Sequence, residues 1–379
     1  LPSGEETVVT YDCEFETDMT ILSVGGHMHE HGESYRVEVM RGPSGLFNST
    51  SELGGVINLV RKRPTDTFQG SISGSVGTLD DRSVSVDISG PIGTMERFRS
   101  VARANQDAPD IVRQSHLQFL RSGADVITTN TYACVPAALA TDGGGFPDDI
   151  VELIEAGGAL AARAQDIAVS EGLSHARPLV AGCLPPLHES YRADRVGDYH
   201  ELASTYRVIV DAIAPSSDLL LCETMHSTAE AFAAAEAANE AGLPVWVSFT
   251  VSEVDVGNLR SGEAIAEGVA AIDDFPNVEA VMLNCSSPEA ITSALPLLVQ
   301  AAPDLTTGVY ANGFSDEFRA TAADDDSVPT YREYDEMLTP GAFARIADDW
   351  RRQGASIIGG CCGIFPEHIA SLVSTTGAS

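Results

Sequence analysis

Lysine is almost absent from this chain. Lys62 is the only one, and lysine plus arginine number 22 against 55 acidic residues, for a net charge of −33. Such a surface repels phosphates and anionic headgroups, which argues against nucleic acid and membrane surfaces as partners. An acidic cytosolic proteome and a high-salt cytosol both produce this balance, and composition does not choose between them. Hydrophobic residues make up 44%, yet no run of about eighteen apolar residues occurs, which argues against a membrane-spanning helix. The start, Leu1-Pro2-Ser3-Gly4-Glu5-Glu6, lacks the basic stretch and apolar core of a secretory leader. Seven cysteines, an odd number spread over a long chain, argue against a disulfide framework. Reduced thiols and a cytoplasmic location are therefore expected, with metal binding or catalysis for some of the cysteines. No internal repeat is present.

From Pro109 onward the sequence alternates short apolar runs with longer amphipathic stretches. Strands are expected at Ala124–Tyr132, Leu179–Leu184, Leu219–Thr224, Val245–Val251, Ala280–Cys285, Thr307–Tyr310 and Ser356–Gly359, with helices between them. This alternation predicts a parallel α/β fold, one strand short of a (β/α)8 barrel. Gly313–Pro340 interrupts it with a long acidic segment around Asp324-Asp325-Asp326, either a loop over the active face or a solvated insertion. Residues 1 to about 105 follow a different pattern. Runs such as Ser71-Ile72-Ser73-Gly74-Ser75-Val76 and Ser83-Val84-Ser85-Val86-Asp87-Ile88 alternate with period two and suit antiparallel β structure.

Gly359-Gly360-Cys361-Cys362-Gly363 ends the last expected strand. Adjacent cysteines on a regular strand point to opposite faces, but flanking glycines permit a distorted backbone that turns both sulfurs to one point. Cys285 ends another strand, in Leu283-Asn284-Cys285-Ser286-Ser287-Pro288. Strand C-termini of a barrel converge on one face, so three thiolates there would make an open zinc site with one position left for substrate. Cys134, Cys183 and Cys222 read instead as small buried hydrophobes.

From about Ala108 onward the chain resembles the zinc-dependent homocysteine S-methyltransferases, which are (β/α)8 barrels. The likeness rests on Ala124-Asp125-Val126-Ile127-Thr128-Thr129-Asn130-Thr131-Tyr132, Leu221-Cys222-Glu223-Thr224, Trp246-Val247-Ser248-Phe249-Thr250, Asn284-Cys285 and the Gly-Gly-Cys-Cys-Gly run. The resemblance implies Cys285, Cys361 and Cys362 as zinc ligands, and Glu223 with Thr129 or Asn130 near the amino-acid end of homocysteine. It implies methyl transfer from a small sulfonium or ammonium donor, giving methionine. Glu223, Trp246, Phe249 and Tyr310 are candidates to favour such a cation, or are packing and solvated residues. S-methylmethionine, S-adenosylmethionine and betaine stay unranked. With nothing after Ser379, a small diffusible donor is expected. Tyr310-Ala311-Asn312 resembles the family's Tyr-Pro-Asn segment, with Ala311 replacing proline.

The family's opening Asp-Gly-x-x-Gly-Thr is matched here only by Ser89-Gly90-Pro91-Ile92-Gly93-Thr94, with Ser89 in place of the aspartate. Gly90 is then the expected backbone contact to substrate. Upstream, Val39–Phe47, Gly54–Val60 and Lys62-Arg63-Pro64 resemble the plug of TonB-dependent receptors. Gly25–His31 is similar to a stretch of copper type II monooxygenase-like proteins, whose His27, His29 and His31 would share one strand face. Copper binding there and an inert fragment are both open readings. The expected organisation is thus 1–37 monooxygenase-like, 38–105 plug-like and 106–379 methyltransferase barrel. Rival readings are a catalytically impaired chimera and a receptor-like binding fragment. For the barrel, two expectations follow. The three cysteine sulfurs should lie within roughly 4 Å of one another. Arg82–Ser89 should stand in for the missing first strand, because a seven-stranded sheet leaves backbone unpaired at the gap.

Overall fold

The computed structural model describes residues 34–40, 56–62, 69–76, 82–89, 94–139, 149–173, 176–188, 193–314 and 338–376. The chain divides into two compact units, one made of residues 1–94 with 327–332, the other of the remainder. In the first unit, β1 (Ser34–Met40) pairs antiparallel with β2 (Val56–Lys62), and β3 (Gln69–Val76) pairs antiparallel with β4 (Arg82–Ser89). The period-two pattern expected of this region is therefore realised as antiparallel pairs.

The second unit opens with α1 (Thr94–Asp107) and α2 (Pro109–Arg121). Seven strands follow: β5 (Val126–Thr128), β6 (Leu179–Leu184), β7 (Leu219–Met225), β8 (Val245–Phe249), β9 (Val278–Asn284), β10 (Thr306–Ala311) and β11 (Ile357–Gly360). They form one parallel sheet in sequence order. The connecting helices are α3 (Pro136–Leu139), α4 (Ile150–Glu171), α5 (Tyr199–Ile213), α6 (Thr228–Glu240), α7 (Ile265–Ala270), α8 (Pro288–Ala301), α9 (Pro340–Gln353) and α10 (Pro366–Thr376). This is an α/β fold of TIM type, a curled parallel sheet with its helices outside. No helix among the described residues is long and apolar enough to cross a membrane.

The helix boundaries follow local chemistry. Ser227, Ser287 and Thr339 each accept a backbone N–H of the first turn of α6, α8 and α9. Pro288 and Pro340 follow two of these caps, where a missing N–H costs nothing. Gly172 and Gly354 close α4 and α9 in the left-handed conformation.

Alternation along each strand sorts side chains onto two faces. Leu220, Cys222, Val247, Phe249, Val281, Leu283 and Val309 pack outward with the helices into the main core. Ala181, Leu219, Leu221, Trp246, Met282, Tyr310 and Ile357 gather on the concave face. A strand shifted by one residue would exchange these sets, so the register is firmly specified.

The surrogate-strand expectation is not met. Arg82–Ser89 is a strand, but every residue of it pairs with Gln69–Val76, and it is no part of the seven-stranded sheet. Both segments carry the same alternating serine and valine pattern and lie close in sequence, so hairpin closure is entropically cheap. Among the described residues, β5 and β11 remain the edges of the sheet. The helices approach one another across that seam, where Val373 of α10 packs over Gly123 just after α2. The second unit also begins earlier than the expected position 106, because α1 belongs to it. Ala102 is fully buried, and Asn105 donates to the carbonyls of Asn130 (2.9 Å) and Leu153 (3.0 Å). Asn130 answers by donating to Val101 O at 3.0 Å and Asn105 Oδ1 at 2.9 Å.

This reciprocal amide pair fastens α1 to the start of the sheet, and both Asn105 bonds end on carbonyls inside the protein. Asn105→Ala should lower unfolding stability by about 1–3 kcal/mol, the cost of stranding buried acceptors. Urea denaturation measures it; a loss below about 0.5 kcal/mol would mean that α1 is not anchored this way.

Candidate metal centre

Cys285 follows directly on β9, and Cys361 and Cys362 directly on β11, so all three leave the same C-terminal rim of the sheet. Their sulfurs lie within 4.8 Å of one another, and those of Cys361 and Cys362 are 4.0 Å apart. Among the described residues this is the only cluster of three metal-binding side chains at such range. The sulfurs are slightly more spread than expected, but well inside the reach of a single ion. Tetrahedral zinc–sulfur bonds of ~2.3 Å place neighbouring sulfurs just under 4 Å apart.

Backbone distortion makes this convergence possible. Cys285 has φ +47°, a left-handed conformation that a non-glycine residue rarely adopts. On the other arm, Gly360 has no room for a side chain, since a Cβ there would meet Ile364 Cγ2 at 2.1 Å. Gly363 turns with φ +77°. Cys361 N donates to Ala311 O at 2.8 Å, Cys285 N to Tyr310 O at 3.2 Å, and Gly313 N to Cys362 O at 2.7 Å. Both arms are thereby tied to the end of β10.

The neighbouring thiols, by hydrogen bonding, and then burial push the Cys361 thiol well above its ordinary range. Three such groups at this range cannot all lose their protons unless a cation compensates, and a divalent ion supplies that compensation. The donor set therefore fits a thiophilic metal, and among the described residues no carboxylate or imidazole joins it.

Glu223 lies on β7, facing the concave side with Tyr310. Burial raises its carboxyl to about 7, a tendency opposed by a hydrogen bond from Cys183 and reinforced by Cys362. The Cys183 thiol donates to Glu223 Oε2 at 3.2 Å, and Cys183 N donates to Thr129 Oγ1 at 3.1 Å. Thr129 and Thr131 share a further hydroxyl bond of 2.8 Å. The Tyr310 hydroxyl is buried beside Glu223 and Ser248, and burial keeps it protonated.

The residues anticipated from the sequence thus separate into groups. Cys285, Cys361, Cys362 and Glu223 share the rim. Thr129 reaches it through Cys183, with its hydroxyl engaged in holding β5 to β6. Asn130 is turned away, towards α1. Phe249 points outward against α7, where it limits the space at Gly268, so it does not line the concave face. Trp246 does, but one layer deeper, with Leu221 and Met282. Gly90 and the histidines 27, 29 and 31 lie outside the described residues. Cys134 and Cys222 belong to the outward core, as read from the sequence. Cys183 does not: strand period alone puts it on the concave face with Ala181, a signal available in the sequence.

Comparison with known proteins identifies the family. The family model for homocysteine S-methyltransferase matches residues 73–376. A homocysteine S-methyltransferase of Escherichia coli K12 is 30% identical over 283 residues, 72% of this chain and 86% of that protein. Homocysteine S-methyltransferase 4 of Zea mays is 29% identical over 296 residues, 72% of this chain and 81% of that protein. The crystal structure of the metallated homocysteine methyltransferase MmuM from Escherichia coli superposes with a TM-score of 0.61. It is 27% identical, covering 73% of this chain and 88% of that one. A TIM-type α/β fold with a cysteine-rich rim is the class the coordinates define. Within it, this chain belongs to the homocysteine S-methyltransferase family.

A second carboxyl on this rim gives a pH test of the fold. Glu230, in the first turn of α6, is 1% exposed; it accepts from Leu187 N at 3.3 Å, lies 3.1 Å from His226 Nδ1 and sits beside the Tyr206 hydroxyl. Burial raises its pKa from 4.5 to about 7. A raised folded-state pKa means the proton is held more tightly when folded. The stabilisation is therefore complete below about pH 4.5 and lost as pH rises through 7. Between pH 5 and 8 the wild type should lose roughly 2–4 kcal/mol relative to Glu230→Gln, which cannot titrate. Urea midpoints of the two proteins across that range measure this, and a constant difference would contradict it.

Proposed function

We propose that this chain transfers a methyl group from a small positively charged donor to the sulfur of homocysteine, giving methionine, with zinc as the metal. The observation that carries this reading is the trio Cys285, Cys361 and Cys362 at one rim, with sulfurs within 4.8 Å, beside the buried carboxyl of Glu223. An all-thiolate set favours zinc over the oxygen-seeking magnesium or calcium. The similarity to homocysteine S-methyltransferases supports homocysteine as the acceptor.

A free thiol with pKa ~8.5 is mostly protonated at neutral pH and reacts slowly. Zinc, when bound, would favour the thiolate form of the acceptor and so supply the nucleophile at neutral pH. Cys285, Cys361 and Cys362 would hold the ion, and a tetrahedral ion with three protein ligands would have one position for the acceptor. Glu223, poised near neutrality, can hold the ammonium group of an amino acid in its ionised form. Cys183 fixes the orientation of that carboxyl, and the Tyr310 hydroxyl can donate to an acceptor oxygen beside it. In the transfer itself the carbon–sulfur bond of the product forms as the donor's bond to the methyl carbon breaks. The donor leaves with the electron pair and loses its positive charge. An apolar layer of Trp246, Leu221 and Met282 lies below.

The purified protein should contain about one zinc per chain and methylate homocysteine with at least one small sulfonium or ammonium donor. Cys361→Ser should abolish detectable activity and sharply weaken zinc retention during dialysis against a chelator. Full zinc retention by Cys361→Ser would sink the ligand assignment. A zinc-loaded wild type inactive with S-methylmethionine, S-adenosylmethionine and betaine would count against the acceptor and donor reading instead.

A further inference from the structure

Two strand ends at the rim are held in a conformation their residues do not favour. Thr224, at the end of β7, has φ +63°, and Cys285, after β9, has φ +47°; among the described residues they are the only non-glycine residues with positive φ. For a β-branched threonine the left-handed region is a true outlier, costing of order 1–3 kcal/mol, and it persists only where the surroundings impose it. For Thr224 the imposing group is one side chain. Asn284 Oδ1 accepts from Thr224 N at 3.1 Å and from Ser248 Oγ at 2.7 Å, while its Nδ2 donates to Thr224 Oγ1 at 2.8 Å.

Asn284 is fully buried, with both ends of its amide engaged. It reaches from β9 across the end of β8 to β7, spanning three strands. β7 and β8 also shift register between Cys222 and Met225, so ladder bonds do not hold Thr224 in place. The sequence neighbours of this clamp are the functional groups. Thr224 follows Glu223, and Asn284 precedes Cys285. One carboxamide therefore ties the strand that carries Glu223 to the residue directly before Cys285, with the kink at Thr224 as its handle.

We propose that Asn284 is a positioning residue of the metal centre: by holding Thr224 in its left-handed conformation, and so pinning β9 to β7 directly before Cys285, it sets where the Cys285 sulfur and the Glu223 carboxyl lie relative to each other. This rests on Cys285 being a metal ligand, and it adds that the ligand's geometry is imposed from β7 through Asn284. Leucine or alanine at 284 would leave the Thr224 N–H and the Ser248 hydroxyl without their acceptor inside the protein. Glycine at 224, by contrast, would tolerate the positive φ without any clamp.

The test is a double-mutant cycle of Asn284→Ala and Thr224→Gly. Asn284→Ala should weaken zinc binding, measured by competition with a chromophoric chelator, by roughly 10–100-fold, the usual scale for groups that orient a ligand. Thr224→Gly in that background should recover most of the loss, although it adds no contact. With cobalt(II) in place of zinc, the visible ligand-field bands of Asn284→Ala should shift, although all three thiols remain. A purely structural loss would lower stability and leave those bands unmoved. If Asn284→Ala cannot be obtained folded, Thr224→Val takes its place: it removes only the acceptor of Asn284 Nδ2 and should weaken zinc binding in the same direction. Wild-type zinc affinity with unchanged cobalt bands in these variants overturns the proposal. A wild type that binds no zinc overturns the metal reading instead. Urea unfolding of the metal-free proteins still decides the clamp in that case, since additive effects of the two substitutions would show that Asn284 does not hold Thr224.

Discussion

Three sulfurs from two distant parts of the chain must meet at a point, and much of the rim is built to satisfy that requirement. Thiols at this range repel one another's ionised forms, so the arrangement is costly until a cation compensates it. The fold holds them together by making their backbones deviate. Cys285 adopts a left-handed conformation, Gly360 gives up any side chain to admit Ile364, and Gly363 reverses the chain. Hydrogen bonds to Ala311, Tyr310 and Gly313 attach both arms to β10, which acts as the common support. Strain is stored where the chemistry is, and the regular parallel sheet below bears it.

The same division explains the fate of the other cysteines. On β7, Cys222 faces the helices while its neighbours Leu221 and Glu223 face inward, so adjacent residues of one strand serve the core and the site respectively. Burial pushes the Cys134 thiol up to about 12, which keeps it protonated and inert. Cys183 is equally buried, yet its thiol is a donor to Glu223, so its role is electrostatic as well as steric. Several of the described basic residues sit in surface pairs, such as Arg121 with Glu171 and Arg207 with Glu240. They contribute little individually to stability, but they relieve part of a strongly negative surface.

The seven strands of the barrel were legible because parallel strands buried on both faces read as continuous apolar runs between amphipathic helices. The cluster of three cysteines was legible because glycines bracket Cys361-Cys362 and because both cysteine arms end a strand. What escaped notice depends on pairing partners that sequence does not name. Arg82–Ser89 has a strand pattern, but the pattern suits the neighbouring Gln69–Val76 at least as well as a gap in a parallel sheet. Asn130 carries a motif that suggests substrate, while its amide is matched to Asn105 on a helix that composition did not mark. The left-handed Thr224 had no signal at all, since a β-branched residue is poorly suited to that conformation, and the Asn284 bonds explain it.

The central claim is that three thiolates of this chain hold one zinc and leave a position for the acceptor sulfur. X-ray absorption at the zinc edge tests it most directly, before and after addition of homocysteine. The account predicts three sulfur scatterers at ~2.3 Å with one light atom in the resting protein, becoming four sulfurs when homocysteine is bound. A shell of nitrogen and oxygen only, or four sulfurs before homocysteine is added, would contradict it.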